Sequence, residues 1–184
     1  MNTSQDTSPD ETIIPSSFDI DVLVDTPLWH DNHDNIELFV RGTLSLCLHH
    51  LKTEELLQGF ECVEVSCLLS HDDKIQELNN HFRGKNKPTN VLSFASCDLK
   101  TKVFELEGSL MIGDIILGYE TIRIEAQEQK KSFENHLRHL LIHGLLHLLG
   151  YDHIEDQDAQ KMEQLEVALL RVFGVHDPYQ NITE

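Results

Sequence analysis

The chain has 184 residues, 32 acidic and 14 basic, for a formal net charge of −18. That length predicts one domain with a full hydrophobic core, and 40% hydrophobic residues separate it from disordered chains. The surplus of acid argues against a general DNA- or RNA-coating protein, which needs a basic surface to release phosphate counterions, and against an anionic membrane surface.

Residues 1–17 are polar, include Pro9 and Pro15, and read as a disordered tail. They have neither the basic start nor the apolar core of a secretory signal. No apolar run approaches the roughly 18 residues of a membrane span, so a cytoplasmic protein is expected. Residues 18–24 alternate as a strand. Residues 35–52 read as a helix, with Ile36, Phe39, Val40, Leu44 and Cys47 at three- and four-residue spacing. A second strand is expected over 63–69, a short helix over 72–82, and a loop at Gly84 and Pro88. Residues 91–94 read as a strand, and 103–117 as one or two strands around Gly108 and Gly113. Helices follow over 119–128, after a Ser132 cap with Leu137, Leu140, Leu141 and Leu145 inward, and over 156–173. Gly174 ends the last one. The expected fold is α+β: a single domain over 18–178, a mixed sheet with packed helices, and a short tail over 179–184. Cys47, Cys62, Cys67 and Cys97 form no C-x-x-C pair and read as reduced thiols.

Five of the twelve histidines fall between His136 and His153. On a helix, His143 and His147 project side by side one turn apart. Gly150 is a natural stop, after which His153 can swing back as a third ligand. Three imidazoles leave the fourth tetrahedral position open to water, the arrangement of a catalytic rather than a structural zinc. His139, four residues before His143, reads as packing or as support for a ligand rather than as a ligand itself. His136 reads as solvent-facing. His30, His33, His49, His50, His71, His81 and His176 lack ligand spacing and read as surface or loop. Zinc peptidases of the H-E-x-x-H type carry a glutamate base after the first histidine; here Gly144 stands in its place. A glycine inside a helix costs about 1 kcal/mol relative to Ala, and room for close approach to the metal would compensate. Asp152 fits equally an imidazole partner and a turn residue.

His143-Gly144-Leu145-Leu146-His147-Leu148-Leu149-Gly150-Tyr151-Asp152-His153 resembles the H-G-x-L-H-L-x-G-Y-D-H signature of the YbeY family of bacterial metal-dependent endoribonucleases. The segment from Leu78 through Phe82-Arg83-Gly84-Lys85 to Pro88-Thr89-Asn90-Val91-Leu92-Ser93-Phe94 is similar to a second family stretch, and Gly113-Asp114-Ile115 to a third. Many members have Asp at the position of Asn90 and Pro at that of Ala95. The resemblance covers residues 18–178. It implies a zincin-like metal helix and one zinc per chain on His143, His147 and His153. It implies single-strand-specific cleavage in maturation of the 3′ end of small-subunit ribosomal RNA, and ribosome quality control. Arg83 and His143 are the implied catalytic residues. The implied partners are single-stranded ribosomal RNA, the small subunit and its proteins, with no DNA and no membrane.

In that reading zinc neutralises charge on phosphoryl oxygens and Arg83 adds a forked, permanent cation. Water or the neighbouring 2′-hydroxyl are both open as nucleophiles. The alternatives are a peptidase-like zinc hydrolase, disfavoured by Gly144, and a non-enzymatic ribosome-assembly factor with structural zinc. The latter needs a fourth protein ligand, for which His139 and Asp152 are the nearby candidates. Residues 83–138 carry 9 basic and 8 acidic side chains, so the acid lies elsewhere and a local positive groove is compatible with the total.

Overall fold

The computed structural model describes residues 15–52, 57–96, 99, 108–153 and 155–179. The tail up to residue 14 and the first part of the strand expectation over 103–117 lie outside them. The elements are β1 (Ser17–Val24), a 3-10 turn (Pro27–Asp31), α1 (Ile36–Leu51), β2 (Cys62–Ser70), α2 (Asp72–Arg83), β3 (Val91–Ala95), β4 (Ser109–Gly118), α3 (Tyr119–Glu128), α4 (Phe133–Leu148) and α5 (Asp156–Val172). The sheet order is β1-β2-β4-β3. β1 and β4 flank β2 in parallel, and β3 runs antiparallel on the outside of β4. The mixed α+β sheet expected from the sequence is therefore present. Among the described residues, no helix is long and apolar enough to cross a membrane.

Alternation along the strands divides the sheet into two unequal faces. Val63, Val65, Cys67 and Leu69 of β2 join Ile115 and Leu117 of β4 in the main core, together with residues of α1, α4 and α5. The opposite face is smaller. There Ile75 and Leu78 of α2 pack on Leu68, Leu92, Phe94 and Ile116. Burial holds the Cys47 thiol at about 12, and burial also raises that of Cys67. Cys47, Cys62 and Cys67 are free, as expected, and Cys97 lies outside the described residues. The 3-10 turn, which periodicity did not reveal, buries Trp29 completely, with its indole N–H donating to the Ser70 carbonyl at 3.0 Å.

Two helix N-termini satisfy each other's unpaired backbone donors. The Asp72 carboxylate accepts from the backbone N–H and hydroxyl of Thr121, and the Asp72 N–H donates to Glu120. Arg138 of α4 lies between the rings of Phe39 and Phe173, 4.6 and 4.7 Å from their centroids, which ties α1 and the end of α5 to the metal helix.

Gly144 explains how closely α4 approaches the sheet. A Cβ there would meet Ile115 Cγ2 and Ser93 Oγ at 3.1 Å and Val91 Cγ2 at 3.4 Å. This corrects the sequence expectation of space beside a metal. The glycine faces β3 and β4, and its cost is offset by backbone-close packing of helix on sheet. Gly113 is more constrained still. It follows a register shift at Glu64/Val65, adopts φ 142°, and a Cβ would lie 2.1 Å from the Phe94 carbonyl oxygen.

Gly84 also has positive φ, 66°, but open space around it. Gly84→Ala should cost about 1–2 kcal/mol, the left-handed backbone penalty alone. Gly113→Ala adds a backbone collision and should cost at least roughly 3 kcal/mol. Thermal or urea unfolding of both variants checks the ordering; equal losses would contradict it.

Candidate metal centre

α4 begins where expected, with Ser132 Oγ accepting the Asn135 N–H at 3.2 Å. Its helical repeat places His136, His139 or Leu140, His143 and His147 along one side. After Leu148 the chain stops through Gly150, at φ 84°, whose N–H donates to the His147 carbonyl. The Tyr151 N–H donates to Leu146, and Asp152 Oδ1 accepts the His153 N–H at 2.7 Å. Of the two readings of Asp152, the turn role is the observed one. The turn returns His153 to the helix. Its ring centroid lies 5.6 Å from that of His143 and 5.1 Å from that of His147, and the two helical rings are 4.5 Å apart.

One ligand atom from each of His143, His147 and His153 lies within 4.8 Å of the others, so the cluster can hold a metal ion. The tautomers of the helical pair follow from their outer nitrogens. His143 Nδ1 is 2.7 Å from Glu166 Oε1, and His147 Nδ1 is 3.1 Å from the Tyr151 carbonyl. A carboxylate and a carbonyl only accept, so both Nδ1 atoms carry hydrogen. In the neutral rings each Nε2 then carries the lone pair, and the two face each other at 3.0 Å. Facing lone pairs at that distance repel unless a cation lies between them. Tetrahedral zinc, with Zn–N of about 2.0–2.1 Å, sets its nitrogens about 3.3 Å apart. The donor set therefore fits. Burial first, then the neighbouring His143 and His153, push His147 below the ordinary histidine range. That keeps its lone pair available.

Glu166 was not singled out by the sequence reading. It sits on α5, 1% exposed, and its carboxylate gathers three donors. These are His143, His139 Nε2 at 2.9 Å, and the Tyr179 hydroxyl. Burial raises its pKa, but the three hydrogen bonds outweigh that and hold it at about 2. Burial and this carboxylate push Tyr179 upward. His139 is therefore a support, as expected. The signal available in sequence was an acidic residue on the buried side of α5, four positions after Met162 and three before Leu169.

His136 corrects a second expectation. It is 3% exposed rather than solvent-facing, and its Nε2 lies 2.8 Å from Glu125 Oε2. Asn90 Nδ2 donates to the same carboxylate at 3.0 Å. Burial pushes Glu125 up, but these partners together hold it below the usual carboxylate value. Asn90 thus serves as a donor to a carboxylate. A cavity of about 260 Å³ opens along this side of α4, lined by Asn90, Glu125, His136, His139, His143 and Tyr179 among others. Arg83 is exposed at the end of α2, which packs on the sheet face opposite α4. Among the described residues it makes no hydrogen bond or ion pair with the histidines.

Fold and site together define an α+β protein able to hold a metal ion on three imidazoles, two from a sheet-backed helix and one from the turn after it. The family model described as Endoribonuclease YbeY matches residues 29–174. The chain is 42% identical over 166 residues to Endoribonuclease YbeY of Agrobacterium fabrum, covering 89% of this chain and 96% of the relative. It is 40% identical over 168 residues to that of Sinorhizobium medicae, covering 91% and 98%. It is 49% identical over 117 residues to that of Paramagnetospirillum magneticum, covering 64% and 71%. A solution structure of TM1509 from Thermotoga maritima is similar at 26% identity and a TM-score of 0.49, over 88% of this chain and 99% of that one. The chain belongs to the YbeY endoribonuclease family.

Glu166→Gln keeps the shape of the side chain but removes the charge that fixes His143. Loss of such a support typically weakens metal binding by about 10–100-fold. Competition against a chromogenic chelator should show that loss for Glu166→Gln, and little change for Asp152→Asn. Unchanged affinity in Glu166→Gln would contradict the orienting role.

Proposed function

We propose that this chain is a zinc-dependent endoribonuclease that cuts single-stranded ribosomal RNA in the cytoplasm. It acts in 3′-end maturation of small-subunit RNA and in ribosome quality control, with the small subunit and its proteins as partners. One observation carries the reading: three imidazole nitrogens converge, and the two candidates for a fourth protein ligand are occupied elsewhere. His139 is bonded to Glu166 and Asp152 to the backbone of His153. An open coordination position belongs to a catalytic centre rather than a structural one, which argues against a purely structural zinc. The peptidase reading also loses support. Gly144 supplies no base, and Glu166 faces the outer nitrogen of His143, away from the convergence point.

One zinc held by His143, His147 and His153 would polarise a phosphoryl oxygen and lower the pKa of a bound water to about 7. The chain's own contribution is positional. Glu166 and the Tyr151 carbonyl keep hydrogen on the outer nitrogens, so the neutral rings turn their lone pairs inward. The cavity beside His143 offers room for a nucleotide next to the cleaved linkage, walled by Asn90 and His136. Arg83 is exposed and, among the described residues, unpaired, so its guanidinium can pair a phosphate through two parallel hydrogen bonds. The net charge of −18 disfavours tight binding of free RNA, so partners on the ribosome deliver the strand.

Metal analysis together with cleavage of single- and double-stranded RNA tests the proposal. Wild type should contain about one zinc, cut the single strand, and stop with chelator. His147→Ala should lose metal and at least about 100-fold of the rate. Wild type without metal, or His147→Ala cutting normally, would remove the central claim. Arg83→Lys keeps the charge and loses the fork, so cutting should fall; an unchanged rate excludes the bidentate role. A single deoxy sugar at the cleavage site decides the nucleophile: undiminished cutting assigns it to water.

A further inference from the structure

The longest acid-free stretch of this acidic chain lies away from the three clustered histidines. Residues 78–97 contain no Asp or Glu, but include Arg83, Lys85 and Lys87. Residues 78–96 form the end of α2, the following loop, and β3, which among the described residues is an edge strand of the sheet. The loop is pinned rather than loose. The Gly84 N–H caps α2 through the carbonyls of Asn79 and Asn80, and the buried Asn79 side chain donates to the Lys87 carbonyl at 2.8 Å. Gln76 donates to Asn86 at 2.9 Å. The three cations are exposed and, among the described residues, have no acidic partner.

Next to Arg83 stands Phe82, 59% exposed at the last turn of α2. It is braced from two sides. Phe94 of the edge strand packs against it at 4.9 Å between centroids, and His81 meets it edge-on at 4.7 Å. Folding leaves most of this ring in water, although the apolar cluster under α2 lies beside it. A braced aromatic ring beside fixed, unpaired cations has the composition of a single-strand nucleic-acid platform. Cations meet the phosphates, and the ring stacks on a base regardless of its identity.

We propose that Phe82 is a base-stacking platform for single-stranded RNA: one nucleobase outside the cleaved linkage stacks on its ring, while Arg83, Lys85 and Lys87 meet the adjoining phosphates. This rests on the endoribonuclease reading and adds to it a binding residue on the face of the sheet opposite the metal helix. The edge of β3 is the short way round from one to the other.

Phe82→Trp turns the platform into a reporter, because the native Trp29 is fully buried and contributes a constant background that a surface ligand does not reach. Oligoadenylate, read within seconds of mixing, should quench the new tryptophan saturably; inorganic polyphosphate, a polyanion without bases, should not. Phe82→Leu keeps an apolar surface without a π-face and should raise KM for a single-stranded substrate roughly ten-fold or more. Phe82→Tyr should restore it, with thermal unfolding unchanged in both. Three results overturn the proposal: no quenching by oligoadenylate, equal quenching by polyphosphate, or wild-type KM in Phe82→Leu. Any of these with normal wild-type cleavage removes the platform alone. Wild type that neither binds nor cuts RNA removes the functional reading and the platform together.

Discussion

A carboxylate removed from water costs several kcal/mol unless donors replace its hydration. Glu166 is nearly fully buried and meets three: His143, His139 and Tyr179. This arrangement sets much else. It holds the carboxylate ionised, fixes the hydrogen of His143 on Nδ1, and turns Nε2 toward His147. It also joins α4, α5 and the segment beyond α5 through one group. The apolar contacts of Met162, Leu169 and Leu170 dock α5, but the carboxylate determines its register against the metal helix, because only one register brings both carboxylate oxygens to imidazoles.

The sheet supplies the other half of the rigidity. α4 lies against β3 and β4 because Gly144 lets helix backbone and strand side chains meet without a Cβ between them. His143 and His147 flank that contact in sequence, so the ligands project from a helix that cannot roll. The edge strand supporting α4 through Val91 and Ser93 supports Phe94 on its other side. One five-residue strand therefore links the metal helix to the cationic loop after α2. The local absence of acid in that strand and loop reconciles a net charge of −18 with a polyanionic substrate.

The regular elements and the three clustered histidines were legible because their signals are local. A four-residue spacing on an apolar helix and a glycine stop are enough to bring His143, His147 and His153 together. Their support was not legible in the same way. Glu166 is 23 positions from His143 and looks like one more acid on a strongly acidic amphipathic helix; only its place between Met162 and Leu169 marks it as buried. His136 was misplaced because a polar residue near a helix start reads as exposed, although it lies seven residues before His143 and on the same side. Gly144 was read as a missing base and as room beside a metal, whereas it faces the side chains of β3 and β4. The strand order, with β4 between β2 and β3, depends on pairings distant in sequence, and no periodicity encodes it.

The three imidazoles differ in how they are held. His143 and His147 belong to a buried helix and have outer hydrogen bonds to Glu166 and a backbone carbonyl. His153 is exposed, on a turn braced by its neighbour Asp152. Unequal restraint separates capture from release. The helical pair is oriented by its own hydrogen bonds, and the third imidazole is held by a turn of a few residues outside the core. Opening so short a turn costs less than unfolding the domain, so an ion held there would leave by way of His153. Substitutions at Tyr151 or Asp152 would alter exchange kinetics much more than melting temperature.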